Sequence, residues 1–180
     1  LESYDHETIA AADENILNAT RSTDFMTPKS AMNQAFRDAV LELAEHHSFA
    51  RPFVNSGRLS IAISYPGSPL NTPDCDSWKG GVEPGDPALD APLGKAWLLE
   101  RLGDRFVLLA HRWEGETPEG VELLATAKAA DDPSTLRQRY CLEEGGAYLL
   151  RPDQYVAARW RSARPQDVKA ALARATGDLS

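Results

Sequence analysis

The stretch 145–161, GGAYLLRPDQYVAARWR, constrains the fold most: two strand-forming runs flank a Pro-Asp pair, and both are apolar enough for inner sheet positions. It predicts a β-hairpin. Pro152 pre-sets φ at the second turn position and Asp153 suits the third, with Tyr148, Leu149 and Leu150 before the turn and Tyr155, Val156 and Trp160 after it. A helix should follow at once. Pro165 stands near its start, Val168, Ala171, Leu172 and Ala175 share one face, and Gly177 lies just past its end.

The rest of the chain is read in the same way. Ile9, Ala12, Ile16 and Ala19 recur at helical spacing over residues 2–21, with Asp5, Glu7, Asp13 and Glu14 mostly elsewhere, which predicts an amphipathic helix packed on a neighbour. Thr27-Pro28 reads as an N-cap and first helical residue, and Met32, Phe36, Val40 and Leu43 continue that second helix to His46. From Ser56 to Pro92 the composition turns to Gly, Pro, Ser, Asn and Asp, with only Leu59 to Tyr65 as a possible short strand. So long a connector marks a linker or a functional loop, and the boundary is placed near residue 80. Beyond it the pattern predicts a short helix from Ala96 to Leu102 stopped by Gly103. A buried strand over Arg105–Ala110, a second strand over Val121–Ala127 and a helix from Ser134 through Tyr140 follow.

LLRPDQYVAARWR at 149–161, PGDPALDAPL at 84–93 and WLLERLGDRFVLLA at 97–110 resemble the C-terminal thioredoxin-like domain of FAD-dependent aromatic hydroxylases, the phenol hydroxylase and 3-(3-hydroxyphenyl)propionate hydroxylase group. LESYDHE at 1–7 and the run from RSTDFMTPKS to RDAVLELA at 21–44 resemble the helices that close the catalytic part of such enzymes. The resemblance covers nearly the whole chain. It implies an α/β (α+β) fold: a helical segment, then a thioredoxin-like domain with a mixed sheet, a C-terminal hairpin and a helix. Its domain division is 1–58 as the helical tail of the flavoprotein catalytic domain, 59–82 as linker and 83–180 as the thioredoxin-like domain. One departure stands out. A thioredoxin fold has a helix between its first two strands, and here only His111–Gly120 is available, where Gly115, Pro118 and Gly120 disfavour one.

The G-x-G-x-x-G turn that sets backbone N–H groups on an FAD pyrophosphate is missing from this sequence. Gly85-Asp86 imitates a flavin-contacting Gly-Asp pair, but its setting, EPGDPALDAP, is proline-rich connector. The chain starts at Leu1 without an initiator Met, inside a helical pattern, and so reads as the C-terminal fragment of a larger flavoenzyme.

Charge removes further classes. With 27 Asp and Glu against 19 Lys and Arg the net charge is −8. The excess is spread, with 6 basic and 11 acidic groups in residues 1–80 against 13 and 16 in 81–180, so nucleic acid has no basic face to bind. No apolar run approaches the roughly 20 residues of a membrane span, and no signal peptide is apparent, which leads to a cytoplasmic expectation. Two cysteines do not make a disulfide framework and are expected as reduced thiols.

Candidate chemistry is sparse. Dithiol exchange needs C-x-x-C at the end of the first central strand, and HRWEGETPEG at 111–120 has no cysteine. Cys75, between Asp74 and Asp76, and Cys141, at a helix end, lack the electropositive setting of a reactive thiol and read as packing or idle surface groups. His46-His47 and the Asp74–Asp76 trio lack the spacing of a ligand set. No G-x-S-x-G elbow is present, and Gly67-Ser68-Pro69 reads as a turn. Arg151, Arg159, Arg161 and Arg164 with Trp160 and Tyr155 could form an anion or aromatic-ligand site, but alternation sends Arg159 and Arg161 to one face and Trp160 to the other, as in ordinary strand patterning. Asn18-Ala19-Thr20 matches a glycosylation sequon inside a helix and is expected to be unused.

No catalytic, cofactor-binding or metal-ligating residue is therefore expected in this chain. What the resemblance implies lies upstream: a parent that reduces FAD with NAD(P)H and uses O₂ to place one oxygen on an activated aromatic ring. The fragment itself would be a redox-inactive module packed on its own catalytic domain or supporting homodimer contacts, with neither nucleic acid nor membrane as partner. Ile9 and Ile16 should then present apolar faces without neighbours. Two other readings stay open: an independent thioredoxin-like binding or scaffold domain, and a thiol enzyme built on Cys141.

Overall fold

The computed structural model describes residues 2–54, 61–126 and 134–178. The chain divides into two compact units, residues 1–63 and 64–180.

The first unit is helical. Helix α1 runs Glu2–Met26, α2 runs Ala31–His46, and a 3₁₀ turn at Ser48–Ala50 leads into the short α3, Arg51–Val54. The first helix is longer than its apolar spacing predicts, and this moves the cap of the second. Thr27, expected as N-cap, instead closes α1, its N–H and hydroxyl both donating to Thr23 O at 2.8 and 2.7 Å. Ser30 caps α2, accepting from the Asn33 N–H at 3.1 Å. The apolar residues of these helices mostly face outward: Ile9, Ile16, Met32 and Phe36 are 60%, 64%, 81% and 60% exposed.

In the second unit β1 (Pro92–Leu93) and β2 (Ala96–Trp97) form a two-residue antiparallel ladder. One 3₁₀ turn, Leu99–Arg101, follows where sequence predicts a helix over 96–102. The helix does not form there because Ala96 and Trp97 are used in the ladder, while Asp90 accepts the Leu99 N–H at 3.1 Å. The main sheet comprises β3 (Phe106–Ala110), β4 (Val121–Ala125), β5 (Ala147–Leu150) and β6 (Val156–Trp160), in the order β4-β3-β5-β6. Strands β3 and β4 are parallel, and β3–β5 and β5–β6 are antiparallel. Helix α4 (Ser134–Tyr140) precedes β5 and α5 (Pro165–Thr176) follows β6. This mixed α/β arrangement has the strand order expected of a thioredoxin-like domain but lacks the helix between its first two strands, since residues 111–120 carry none, as their Gly and Pro content foretells.

The hairpin forms as the sequence reads. Arg151 O accepts from the Gln154 N–H at 3.0 Å across Pro152 and Asp153, and Gln154 takes φ 69, the left-handed residue of a three-residue hairpin loop. Strand β5 is inner and β6 is an edge strand, apolar except for Arg159, and both bury their side chains on both faces. Val107, Leu109, Tyr148, Leu150 and Val156 pack with Leu136 and Tyr140 of α4 and with Leu98. Leu108, Ala110, Leu149, Ala158 and Trp160 pack with Val168, Ala171 and Ala175 of α5. Gly177 ends α5 at φ 81, its N–H returning to Arg174 O at 3.0 Å.

From Ser64 onward the Pro- and Gly-rich run read as linker belongs to the second unit, where it closes the β6 edge. Thr72 N–H donates to Ala157 O, Gly85 N–H to Val156 O, Val156 N–H to Asp86 O and Ala88 N–H to Gln154 O, at 2.7–3.0 Å. Residues 61–65 form no strand; Tyr65 gives its N–H to Gly85 O at 2.8 Å instead. Gly85, at φ 91, has no room for a side chain, since a Cβ would lie 2.3 Å from Tyr65 O. Leu59 and Ser60 lie outside the described residues, as does Ala127.

Candidate functional site

The end of β3 is where a thioredoxin-type motif would sit. His111 occupies it, nine-tenths buried, with Nδ1 2.9 Å from the Thr126 hydroxyl at the end of parallel β4. Its N–H donates to Gly146 O and its carbonyl accepts from the Gly145 N–H, both at 3.0 Å, so His111 ties the β3 end to the start of β5. Burial lowers the imidazole pKa from its ordinary 6.5, and the Arg137 and Arg112 charges lower it further against the opposing pull of Glu144. Thr126 is 1% exposed, so its hydroxyl is out of reach of any substrate. The pair and the two backbone bonds fasten this corner of the sheet.

The guanidinium and aromatic residues do not converge on one site. Arg151 is held in the hairpin by Asp153, with Nε–Oδ1 at 3.0 Å and Nη2–Oδ2 at 2.5 Å, and lies over the Tyr155 ring. Arg164 pairs with Asp167 in the first turn of α5. Trp160 packs beneath α5 on the opposite face from Arg159, as strand alternation requires. Arg159 is the unusual member. Its side chain is 2% exposed and makes a fork to Asp74, with Nε–Oδ1 at 2.9 Å and Nη2–Oδ2 at 2.5 Å, while Nη1 donates to Gly80 O and Val82 O at 3.1 and 3.0 Å. The Trp78 ring lies 4.5 Å from its guanidinium carbon, and Arg161 approaches the same ring at 5.7 Å. Burial works against the Arg159 charge, but the hydrogen bond and charge of Asp74, with Tyr148, outweigh it and raise the pKa. Burial also pushes the Tyr148 hydroxyl up to about 12. The Tyr148 hydroxyl donates to Tyr140 O at 2.5 Å. The bonds of Arg159 to Asp74, Gly80 O and Val82 O, with Glu83 3.7 Å from Nη2, pin the segment 74–83 to the sheet.

Sequence reasoning missed the Asp74–Arg159 pair. The signal was an arginine inside the apolar run VAARW, because a cation there demands a buried partner. In sequence Asp74 reads only as a neighbour of Cys75 and a member of an unsuitable metal-ligand trio, not as an ion-pair partner. Among the described residues no group of three or more His, Cys, Asp or Glu is placed to hold a metal. Cys75 and Cys141 are both free and exposed. His46 ends α2 and His47 caps it, with the His47 ring 5.7 Å from Phe49.

Gly85 and Asp86 offer no cradle for a flavin pyrophosphate. Their N–H groups already donate to Val156 O and Glu83 O, at 2.8 and 3.0 Å. These residues do not fit FAD. Among the described residues no helix is long and apolar enough to cross a membrane.

No family model matches this sequence, and no curated protein does. Solved structures share the fold. The rebeccamycin biosynthetic enzyme RebC with reduced flavin aligns over 98% of this chain and 36% of its own, at TM-score 0.63 and 21% identity. The flavin-dependent monooxygenase PieE, in complex with FAD and substrate, aligns over 86% of this chain and 31% of its own, at TM-score 0.58 and 22% identity. Aklavinone-11 hydroxylase, in a ternary complex with FAD and aklavinone, aligns over 77% and 33%, at TM-score 0.52 and 20% identity. The chain thus spans about a third of the length of each flavoenzyme it resembles.

Proposed function

We propose that this chain is the C-terminal part of an FAD-dependent, NAD(P)H-using monooxygenase that hydroxylates a phenolic or other aromatic compound, in the phenol hydroxylase and 3-(3-hydroxyphenyl)propionate hydroxylase group. In this reading the chain carries none of the chemistry. Residues 1–58 close the flavoprotein catalytic domain, and the thioredoxin-like domain from residue 83 is a redox-inactive module that packs on that domain and supports a homodimer of a cytoplasmic enzyme.

The observation that carries this reading is the alignment of 77–98% of the chain with about a third of three flavin-linked enzymes. Two features support it. Ile9, Ile16, Met32 and Phe36 stand exposed on the helices, as residues made to be covered would. The end of β3 carries a buried histidine paired with the Thr126 hydroxyl in place of a thiol pair, which suits a module without redox work.

Substrate-dependent cofactor oxidation tests the proposal. The product of the full native reading frame should oxidise NADH or NADPH faster when a phenolic compound is added and should convert that compound to a hydroxylated one. The 180-residue chain should do neither. Absence of flavin-linked oxidation in the native product would favour the independent binding domain instead.

A further inference from the structure

Among the described residues of the second unit, the ten-residue connection 111–120 places no helix over the β3–β4 part of the sheet. By register, Val121, Leu123 and Ala125 of β4 lie beside Phe106, Leu108 and Ala110 of β3, on the face that α5 covers farther along the sheet. Helix α5 packs on β5 and β6. Toward β4 the cover thins to Trp113, and Leu123 is 38% exposed. Strand β4 is an edge of the sheet.

Next to this face lies a groove of about 470 Å³ lined by Glu116, Thr117, Pro118, Glu119, Pro165 and Lys169. One wall is stiff, because Gly115 is packed so closely that a Cβ would lie 2.6 Å from Pro165 Cγ and 2.9 Å from the Trp113 ring. Its charge is one-sided. Glu114, Glu116 and Glu119 are exposed and make no ion pair among the described residues, and Lys169 is the one basic residue in the lining. Arg112, the cation of the same loop, is held by Glu144 at 2.7 Å.

We propose that this face is a docking site for an amphipathic helix of a partner protein, whose apolar edge covers Val121 and Leu123 and whose lysines or arginines meet Glu114, Glu116 and Glu119. The dimensions agree: a five-residue strand is roughly 16 Å long, the rise of about three helical turns. The acidic rim selects a basic helix over an acidic one. This inference goes beyond the flavoenzyme reading and stands without it.

Nuclear magnetic resonance on the 180-residue chain tests it, with a leucine- and lysine-based amphipathic peptide of about 14 residues and the same peptide with glutamate at every lysine. The lysine peptide should shift the backbone signals of residues 113–125 and 165–169 and the Trp113 indole N–H saturably, and the glutamate peptide should not. Leu123→Glu, an exposed change, should weaken the lysine peptide at least about tenfold. Glu116→Lys combined with Glu119→Lys should reverse the preference between the two peptides. No saturable shift at these signals, or binding indifferent to both variants, would overturn the proposal. So would concentration-dependent shifts of the same signals without peptide, which would assign the face to a second copy of the chain.

Discussion

Arg159 sits in the edge strand β6 with its side chain buried, and its charge is tolerated because Asp74, Gly80 O and Val82 O take its donors while Trp78 covers its face. Removing one partner of so buried a pair leaves an uncompensated charge. Asp74→Ala should therefore destabilise the domain by about 3 kcal/mol, read as a shift of the urea midpoint at unchanged slope. Glu144→Ala breaks an ion pair whose partners are 59% and 70% exposed and should cost under about 0.5 kcal/mol. Equal effects from the two changes would contradict the buried-clasp account. Gln154 carries the opposite kind of strain, a side chain at φ 69. Gln154→Gly should stabilise by about 0.5 kcal/mol, the relief of left-handed strain exceeding the added flexibility of the unfolded chain; a lower melting temperature would contradict it.

At the scale of elements, the β3 end responds to pH through His111. Its folded pKa lies below 6.5, so the unfolded chain binds the proton more readily. The stability this group contributes is fully present above pH 6.5 and is lost as pH falls through the folded value. His111→Asn should flatten the decline of stability below that pH, measured by urea unfolding at a series of pH values, and an unchanged slope would show that other groups cause the decline. The elements differ in how legible they were, for physical reasons. The hairpin and α5 follow from local chemistry, Pro152-Asp153 and the Pro165–Gly177 bracket, so sequence alone defines them. The Thr27 cap failed because α1 continues through its own last turn to Met26, a length that its apolar spacing does not encode. The Ala96–Leu102 helix failed because a two-residue ladder to Pro92-Leu93 claims its first residues. Residues 64–91 look like connector by composition, yet they close β6 through backbone bonds, for which side-chain identity gives little sign. The Asp74–Arg159 clasp joins residues far apart in sequence, and only the arginine half of it left a trace.

For the whole molecule, the two units differ in self-sufficiency. Residues 64–180 pack a core on each face of their sheet and should melt cooperatively when expressed alone. The helical unit leaves Ile9, Ile16, Met32 and Phe36 exposed, so the 180-residue chain should bind a hydrophobic dye more strongly than 64–180 does; equal binding would mean that the helices do not present an apolar surface. That surface fits the central claim, that the chain completes a longer flavoprotein. Intact mass and visible absorbance of the product of the full native reading frame, beside those of the 180-residue chain, test the claim most directly. The account predicts a product several times larger that is yellow with a flavin spectrum, while this chain is colourless; a colourless native product of about the same mass as this chain would contradict it.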